Sequence, residues 1–148
     1  MNISKYDYNI FETYVNSLVS RIKAKKLEFN YIVGIGRGGL IPATMIGYKL
    51  KLPVLNYGVS LYNDNNEPKT LKVYQDINFD AFESNTKLLV VDDICDTGTT
   101  FSHFKELKKN NVIQTTYAAL FAKEATIQFV DMCTNIVGEE WVIFPWDS

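Results

Sequence analysis

The feature that most constrains the fold is a strand, a glycine-rich turn, a helix and a second strand in direct succession. The first strand is predicted at Tyr31–Ile35 and the turn at Gly36–Gly39. The helix is predicted at Leu40–Leu50, with Pro42 near its start, where the missing N–H of proline does no harm. The second strand is predicted at Pro53–Val59. Such a unit pairs its strands in parallel with a right-handed crossover, which indicates an α/β fold.

An amphipathic helix is predicted before this unit, over residues 7–27. Apolar side chains recur there mostly at three- and four-residue steps, the spacing of one helical stripe. They are Ile10, Phe11, Tyr14, Leu18, Ile22 and Leu27. The chain of 148 residues shows no repeat or linker, and we expect a single domain over residues 1–148.

The second half of the chain continues the alternation of strands and helices. Residues 60–86 are polar, and the alternating stretch Leu71–Gln75 could form one arm of a hairpin, so we predict a mobile flap there. The continuous apolar run Leu88–Val91 predicts a strand covered on both faces. A helix from about Thr99 to Lys109, a strand at Val112–Ala122 and short extended pieces in the tail are predicted to follow.

Composition excludes several classes of protein. Lys and Arg number 15 and Asp and Glu 17, so no bulk positive charge favours nucleic acid as a partner. The apolar runs are far shorter than the roughly 20 residues of a membrane span, and the N-terminus lacks the features of a secretory signal, so we expect a cytoplasmic location. Cys95 and Cys133 lack zinc-site spacing, and His103 is the only histidine, which predicts two reduced thiols and excludes a multi-histidine metal site.

Two unusual loops follow predicted strands, at Gly36–Gly39 and Asp92–Thr100. Ligands of α/β sheets bind at the carboxyl ends of the strands, so both loops should face one crevice. The Thr-Gly-Thr-Thr turn leads into a helix whose free N–H groups suit a phosphate, although Asp92 and Asp93 would repel it. A sugar phosphate resolves the conflict, because carboxylates accept from hydroxyls and hold Mg²⁺. The structural alternative is a solvated cap and a simple turn.

The glycines of Gly34–Gly39 also spell G-x-G-x-x-G, the pattern of dinucleotide-binding folds. That interpretation needs an acidic residue about 20 residues later, at the end of the second strand. The second strand ends around Val59–Leu61, and Asp64 already lies inside a polar loop. Arg37 among the glycines suits a diphosphate leaving group instead.

Three segments carry a resemblance to a known family. Val90–Thr100, which reads Val-Val-Asp-Asp-Ile-Cys-Asp-Thr-Gly-Thr-Thr, resembles the motif of type I phosphoribosyltransferases that binds 5-phosphoribosyl 1-diphosphate (PRPP). Gly34–Pro42 resembles the diphosphate loop of the xanthine-guanine members, and Phe121–Lys123 and Trp141–Asp147 resemble their purine-site segments. The resemblance implies a central mostly parallel sheet flanked by helices, a flexible flap, and a small base-binding hood over residues 123–148.

The resemblance also implies which residues bind PRPP. Asp92 and Asp93 would hold the ribose hydroxyls and a metal-bound diphosphate, which makes them the expected Mg²⁺ ligands. Residues Asp96–Thr100 would cradle the 5′-phosphate. Asp96 would in addition take or share the proton of purine N7, with a brace of the phosphate loop as its alternative role. The full expected set is Gly36, Arg37, Gly38, Gly39, Asp92, Asp93, Asp96, Thr97, Gly98, Thr99 and Thr100.

Base recognition is expected from the last third of the chain. Lys123 would donate to a 6-oxo group, Trp141 would stack on the purine, and Val142 and Asp147 would lie near the base. Chemistry alone leaves open a solvated lysine, a core tryptophan and a solvated tail carboxylate. The flap departs from the family pattern at Ser60-Leu61-Tyr62, because Leu61 stands where a hydroxyl is expected.

The function implied by the resemblance is Mg²⁺-dependent transfer of phosphoribosyl from PRPP to guanine, xanthine or hypoxanthine in purine salvage. The products would be diphosphate and a nucleoside monophosphate, and the enzyme would be a homodimer or homotetramer. A phosphoribosyltransferase for another base, such as orotate or uracil, is an alternative. A non-catalytic regulator that senses PRPP or nucleotides is another.

Overall fold

A six-stranded sheet forms the centre of the molecule, and it is parallel except at one edge. The computed structural model describes residues 2–62, 70–108 and 113–147. A separate parallel pair joins β1 (Ile3–Lys5) to β8 (Trp141–Ile143). The strands of the central sheet, in pairing order, are β4 (Thr70–Gln75), β3 (Val54–Tyr62), β2 (Tyr31–Gly36), β5 (Lys87–Cys95), β6 (Gln114–Lys123) and β7 (Met132–Val137). Among the pairings between these described strands, the β3–β4 hairpin alone is antiparallel.

In the described part of the chain, three helices flank this sheet: α1 (Tyr8–Ala24), α2 (Leu40–Leu50) and α3 (Thr99–Lys108). The Asp7 carboxylate caps α1 by accepting the N–H of Ile10 at 2.8 Å, which satisfies one of the free amides of the first turn. Short 3-10 segments cover Phe79–Ala81 and Glu124–Phe129.

The sheet separates two apolar layers. Phe11 of α1 and Ile46 of α2 pack on one face, and Phe104 of α3 packs on the other. Leu88–Val91 in β5 are fully buried between the layers. A continuous apolar run is typical of a strand that is covered on both faces, so this prediction is confirmed. Cys95 and Cys133 are both free thiols.

The predicted α/β class and the strand–loop–helix–strand unit are confirmed, but the first helix is shorter than the predicted residues 7–27. It ends at Ala24, so Leu27 lies beyond it and is 39% exposed, and Ile10 faces solvent. Val15 and Val19 occupy the buried stripe instead. The apolar spacing of residues 7–27 does not show which face of the helix is buried, because apolar side chains occur on both its buried and its exposed face.

The acidic motif also lies differently from its prediction. β5 extends to Cys95, so the carboxylates at 92 and 93 are part of a strand and not of the loop after it. β4 confirms the hairpin arm predicted at Leu71–Gln75. Farther along, Phe79 packs on Phe104 with ring centroids 5.3 Å apart. Residues 63–69 of the predicted flap, the end of the third helix at Lys109 and the strand start at Val112 lie outside the described residues.

Within the described ranges, no helix combines the length and the apolar character that crossing a membrane requires.

Candidate active site

Two segments meet where the strand order of the sheet reverses. β2 lies between β3 and β5, and the chain passes from β2 through α2 to β3 on one side and from β5 through α3 to β6 on the other. Such a reversal opens a crevice at the carboxyl ends of the two central strands. The glycine loop, Gly36–Gly39, follows β2, and β5 ends in Asp92–Cys95. The crevice is therefore built from both predicted segments.

The glycine loop packs directly against the acidic end of β5. A side chain on Gly38 would collide with the Asp93 carboxylate. A Cβ atom on Gly39 would lie 2.7 Å from the Val91 carbonyl oxygen and 2.8 Å from the Asp92 Cα atom. Real side chains do not tolerate such distances, so glycine at 38 and 39 lets the loop approach the carboxylates. The prediction that the two segments share one crevice is confirmed.

Asp92 and Asp93 concentrate negative charge at this point. Burial raises the pKa of Asp92 well above its ordinary value, and repulsion by Asp93 raises it further. Burial also raises the pKa of Asp93, and repulsion by Asp147 adds to the effect. The N–H of Ile94, which donates to the Asp93 carboxylate at 2.7 Å, partly offsets that rise. A cation or a set of hydroxyl donors would relieve the charge of this pair.

The turn between β5 and α3 presents polar groups to solvent. Gly98 has a φ of 82°, and the ring of Phe129 lies where its side chain would be. The hydroxyls of Thr97 and Thr99 lie 2.8 Å apart in a hydrogen bond, and both threonines are exposed, as is Asp96. The first N–H groups of a helix have no partner within it, so the start of α3 together with these hydroxyls suits a phosphate dianion.

A cleft of about 120 Å³ runs along this turn, lined by Leu61, Asp92 and residues 94–101. Leu61 reaches it from β3, so an apolar side chain occupies the position where the resemblance predicts a hydroxyl. A second groove, of about 500 Å³, separates the glycine loop from the β3–β4 hairpin, and Arg37 lines it.

Two of the predicted base-binding residues, Lys123 and Asp147, lie near the carboxyl end of β5. Cys95 pairs with Ala122, so Lys123 ends β6 beside the end of β5, and its Nζ donates to the Glu140 carbonyl at 2.9 Å. The Asp147 carboxylate accepts the N–H of Phe144 at 3.0 Å. That hydrogen bond does not exclude a ligand, because a carboxylate accepts several.

Trp141 and Val142 differ sharply in exposure. The Trp141 side chain is 60% exposed on β8, so its ring is open to a stacking partner. Val142 is 8% exposed and packs in the core on the α1 side of the sheet. Contact between Val142 and a base would therefore use the backbone.

Comparisons with known proteins agree with this geometry. The family model of the phosphoribosyl transferase domain matches residues 6–148. The chain belongs to the phosphoribosyltransferase family.

Two relatives from this family are named xanthine-guanine phosphoribosyltransferase. The protein of Idiomarina loihiensis is 30% identical over 122 residues, which cover 81% of this chain and 72% of the relative. The protein of Gluconobacter oxydans is 32% identical over 138 residues, which cover 88% and 76%. The crystal structure of a purine phosphoribosyltransferase from Pyrococcus horikoshii shares the fold, with a TM-score of 0.78, 24% identity and coverage of 100% of this chain and 96% of that one.

The phosphoribosyltransferase crevice contains two residues that sequence reasoning missed. Asn56 of β3 and Gln75 of β4 line the groove beside the glycine loop. The available signal was weak, since Asn56 only interrupts the apolar stretch Val54–Val59 and Gln75 ends the predicted hairpin arm. Nothing in the linear sequence places these two side chains side by side.

The acidic pair fits a magnesium ion. Mg²⁺ is commonly held by one or two carboxylates, with water and substrate phosphates completing its shell. Across residues 2–62, 70–108 and 113–147, no group of three or more His, Cys, Asp or Glu side chains could hold a metal. Burial raises the pKa values of Asp92 and Asp93. This pair therefore suits a Mg²⁺ ion whose other ligands are water and substrate phosphates, and not a site built from protein ligands alone.

Proposed function

We propose that this protein transfers the 5-phosphoribosyl group from PRPP to a 6-oxopurine, namely guanine, xanthine or hypoxanthine, in purine salvage. The observation that carries the proposal is the contact of the glycine loop with Asp93, beside the turn Asp96–Thr100. The turn suits a phosphate, and the glycine loop suits a diphosphate. The two carboxylates suit ribose hydroxyls and a metal-bound diphosphate. A sugar that bears both groups matches the whole crevice. The names of the relatives at 30% and 32% identity support a purine acceptor.

In this proposal the chain acts mainly by placing charge. Departure of diphosphate leaves positive charge on the ribose, and the carboxylates of Asp92 and Asp93 stabilise that charge. Asp92 and Asp93 would hold Mg²⁺, which would supply charge neutralisation for the diphosphate leaving group. The N–H groups and hydroxyls of residues 97–100 hold the 5′-phosphate. The β3–β4 hairpin, the outer hairpin of the sheet, would exclude water from the reacting atoms.

Asp96 is the proposed catalytic residue. It is exposed at the end of β5, on the side of the crevice where β6 ends in Lys123. Its carboxylate would take or share the proton of purine N7 as that nitrogen attacks the ribose. A residue in this role must be accessible to the purine, and the exposed side chain of Asp96 meets that requirement.

Three further residues would recognise the base. One hydrogen of the Lys123 ammonium is used by Glu140, which leaves two that can reach a 6-oxo oxygen. The open ring of Trp141 offers a stacking surface. Asp147, close enough to Asp93 to affect its pKa, would meet the purine 2-position.

Diphosphate release is the measurement that tests the proposal. Purified protein is given PRPP and Mg²⁺ with guanine, xanthine, hypoxanthine, adenine, orotate or uracil, and a reaction without base measures background hydrolysis. We expect release with at least one 6-oxopurine and little with adenine. Release with a pyrimidine alone would contradict the roles of Lys123 and Trp141. No release with any base, while PRPP still binds, would favour a sensing protein.

A further inference from the structure

A polar atom without a partner lies between the glycine loop and the outer hairpin. The Oδ1 atom of Asn56 is buried and has no hydrogen-bond partner among the described residues. It lies against Gly36, so closely that a side chain at that position would collide with it. The other end of the same amide is engaged, because Nδ2 donates to Oε1 of Gln75 at 2.8 Å. A buried acceptor without a donor is unfavourable, which points to a second arrangement of this pair.

The position of the pair connects two parts of the crevice. Asn56 lies on β3 opposite Gly34 of β2, two residues before the end of that strand. Gln75 is the last residue of β4 and pairs with Gly58. Both side chains line the groove of about 500 Å³ that also contains Arg37. The Asn56 amide thus joins the outer hairpin to the loop that is proposed to bind diphosphate.

Amide side chains exchange donor and acceptor when they rotate by half a turn, with little change of shape. If both amides rotate together, Gln75 Nε2 donates to Asn56 Oδ1, and the hydrogen bond between them is kept. Asn56 Nδ2 then points toward Gly36. The unpartnered acceptor is then replaced by an unpartnered N–H donor beside the loop, and an anion oxygen bound there would satisfy that donor.

From this geometry we infer that Asn56 is an anion-binding residue, which donates from Nδ2 to a diphosphate oxygen at the glycine loop while Gln75 holds the amide in that orientation. The identity of the anion rests on the proposed function. The amide adds a directional donor to the positive charge of Arg37. Gln75 acts through Asn56 and is therefore a positioning residue.

Two substitutions test the donor and its orientation separately. Asn56→Asp keeps the shape but replaces the donor with a negative charge. Gln75→Glu can still accept from Asn56 Nδ2 but cannot donate to Oδ1, so it holds the amide turned away from the anion. Gln75→Leu removes the Gln75 donor without adding charge. Gln114→Glu, at an exposed position at the start of β6, is the matched control for the charge change.

The primary readout is the dissociation constant of PRPP and of Mg²⁺–diphosphate, measured by isothermal titration calorimetry on the full chain. A lost hydrogen bond to a charged group weakens binding by about ten- to a hundredfold, and we expect losses in that range for Asn56→Asp and Gln75→Glu. Gln75→Leu should also weaken binding, and Gln114→Glu should match the wild type. The KM for the base should stay within about threefold in every variant, and thermal unfolding identifies any variant that fails to fold.

The outcomes separate this inference from the proposed function. Wild-type affinity in either Asn56→Asp or Gln75→Glu would overturn the inference and leave the proposed function intact. Equal loss in Gln114→Glu would also overturn it, since general charge would then explain the effect. Failure of the wild type itself to bind PRPP and Mg²⁺–diphosphate would contradict the proposed function, and the anion site with it.

Discussion

Replacing Asp92 by asparagine should make the ligand-free protein more stable at neutral pH. Asn keeps the side-chain oxygen that accepts the N–H of Asp93 at 2.8 Å, so the local hydrogen bond is preserved. It removes a half-buried carboxyl group whose pKa is raised first by burial and then by repulsion from Asp93. Ionisation of this carboxyl group lowers the free energy of unfolding of the wild-type protein, and the variant has no such loss.

The size of the gain follows from linkage. Each pH unit by which the folded pKa exceeds the unfolded value costs about 1.4 kcal/mol once the group is ionised. Because the folded pKa is raised, wild-type stability is highest below the ordinary aspartate pKa and falls as the pH rises through the raised value. We therefore expect a gain on the order of 1 kcal/mol or more at pH 7.5, which is about 4 °C in Tm for a chain of this length.

Thermal unfolding between pH 4.5 and 8 measures the effect, with Asp80→Asn as the control because Asp80 is exposed on a 3-10 segment. The advantage of Asp92→Asn should shrink toward pH 4.5, and the control should show none. Saturating PRPP and Mg²⁺ should reverse the order, since a ligand at a hundred times its Kd stabilises the wild type by about 2.7 kcal/mol. A variant less stable than wild type at pH 7.5, or a difference independent of pH, would refute the reasoning.

Three other substitutions have defined outcomes. Asp96→Asn should lower kcat by about 10²- to 10⁴-fold with PRPP affinity largely kept, as measured by steady-state kinetics and calorimetry. An unchanged kcat would remove its catalytic role. Lys123→Ala should weaken the use of 6-oxopurines by about tenfold or more, and equal losses on every base in the panel would contradict base recognition. Gly98→Ala should destabilise the fold by about 1–3 kcal/mol in urea denaturation, because its φ is 82° and Phe129 occupies the space for a side chain. Adding Phe129→Ala should recover part of that loss if the ring contact matters.

Much of the site could be predicted from sequence because of one property of parallel sheets. The carboxyl ends of the central strands meet at one edge, so two local motifs, Gly36–Gly39 and Asp92–Thr100, had to come together once the strand order was known. The apolar run Leu88–Val91 identified the central strand without information on contacts. Local patterns were therefore sufficient wherever the fold itself brings strand ends together.

Contacts that depend on register could not be predicted in this way. The Asn56–Gln75 hydrogen bond requires the alignment of the β3–β4 hairpin, whose register shifts between Gly58 and Val59. The pairing of β1 with β8 joins residues from opposite ends of the chain and has no local signal. A shift of one residue moves a side chain to the opposite face of a sheet, so small errors in register hide such contacts.

The one error within the acidic motif changes how the site works. The sequence pattern suggested that Asp92 and Asp93 belong to a loop, in which two repelling carboxylates could move apart. In the structure they lie inside β5, where Asp92 pairs with Ala119 of β6, and the backbone is fixed by the sheet. Their repulsion cannot relax by loop motion, so it is retained in the folded state and adds to the rise in the pKa of Asp92 that burial causes. The same rigidity presents both carboxylates in a fixed position before a ligand arrives, which is what electrostatic stabilisation of a developing charge requires. The stability gained in Asp92→Asn therefore measures how much burial and repulsion of this fixed pair destabilise the ligand-free protein.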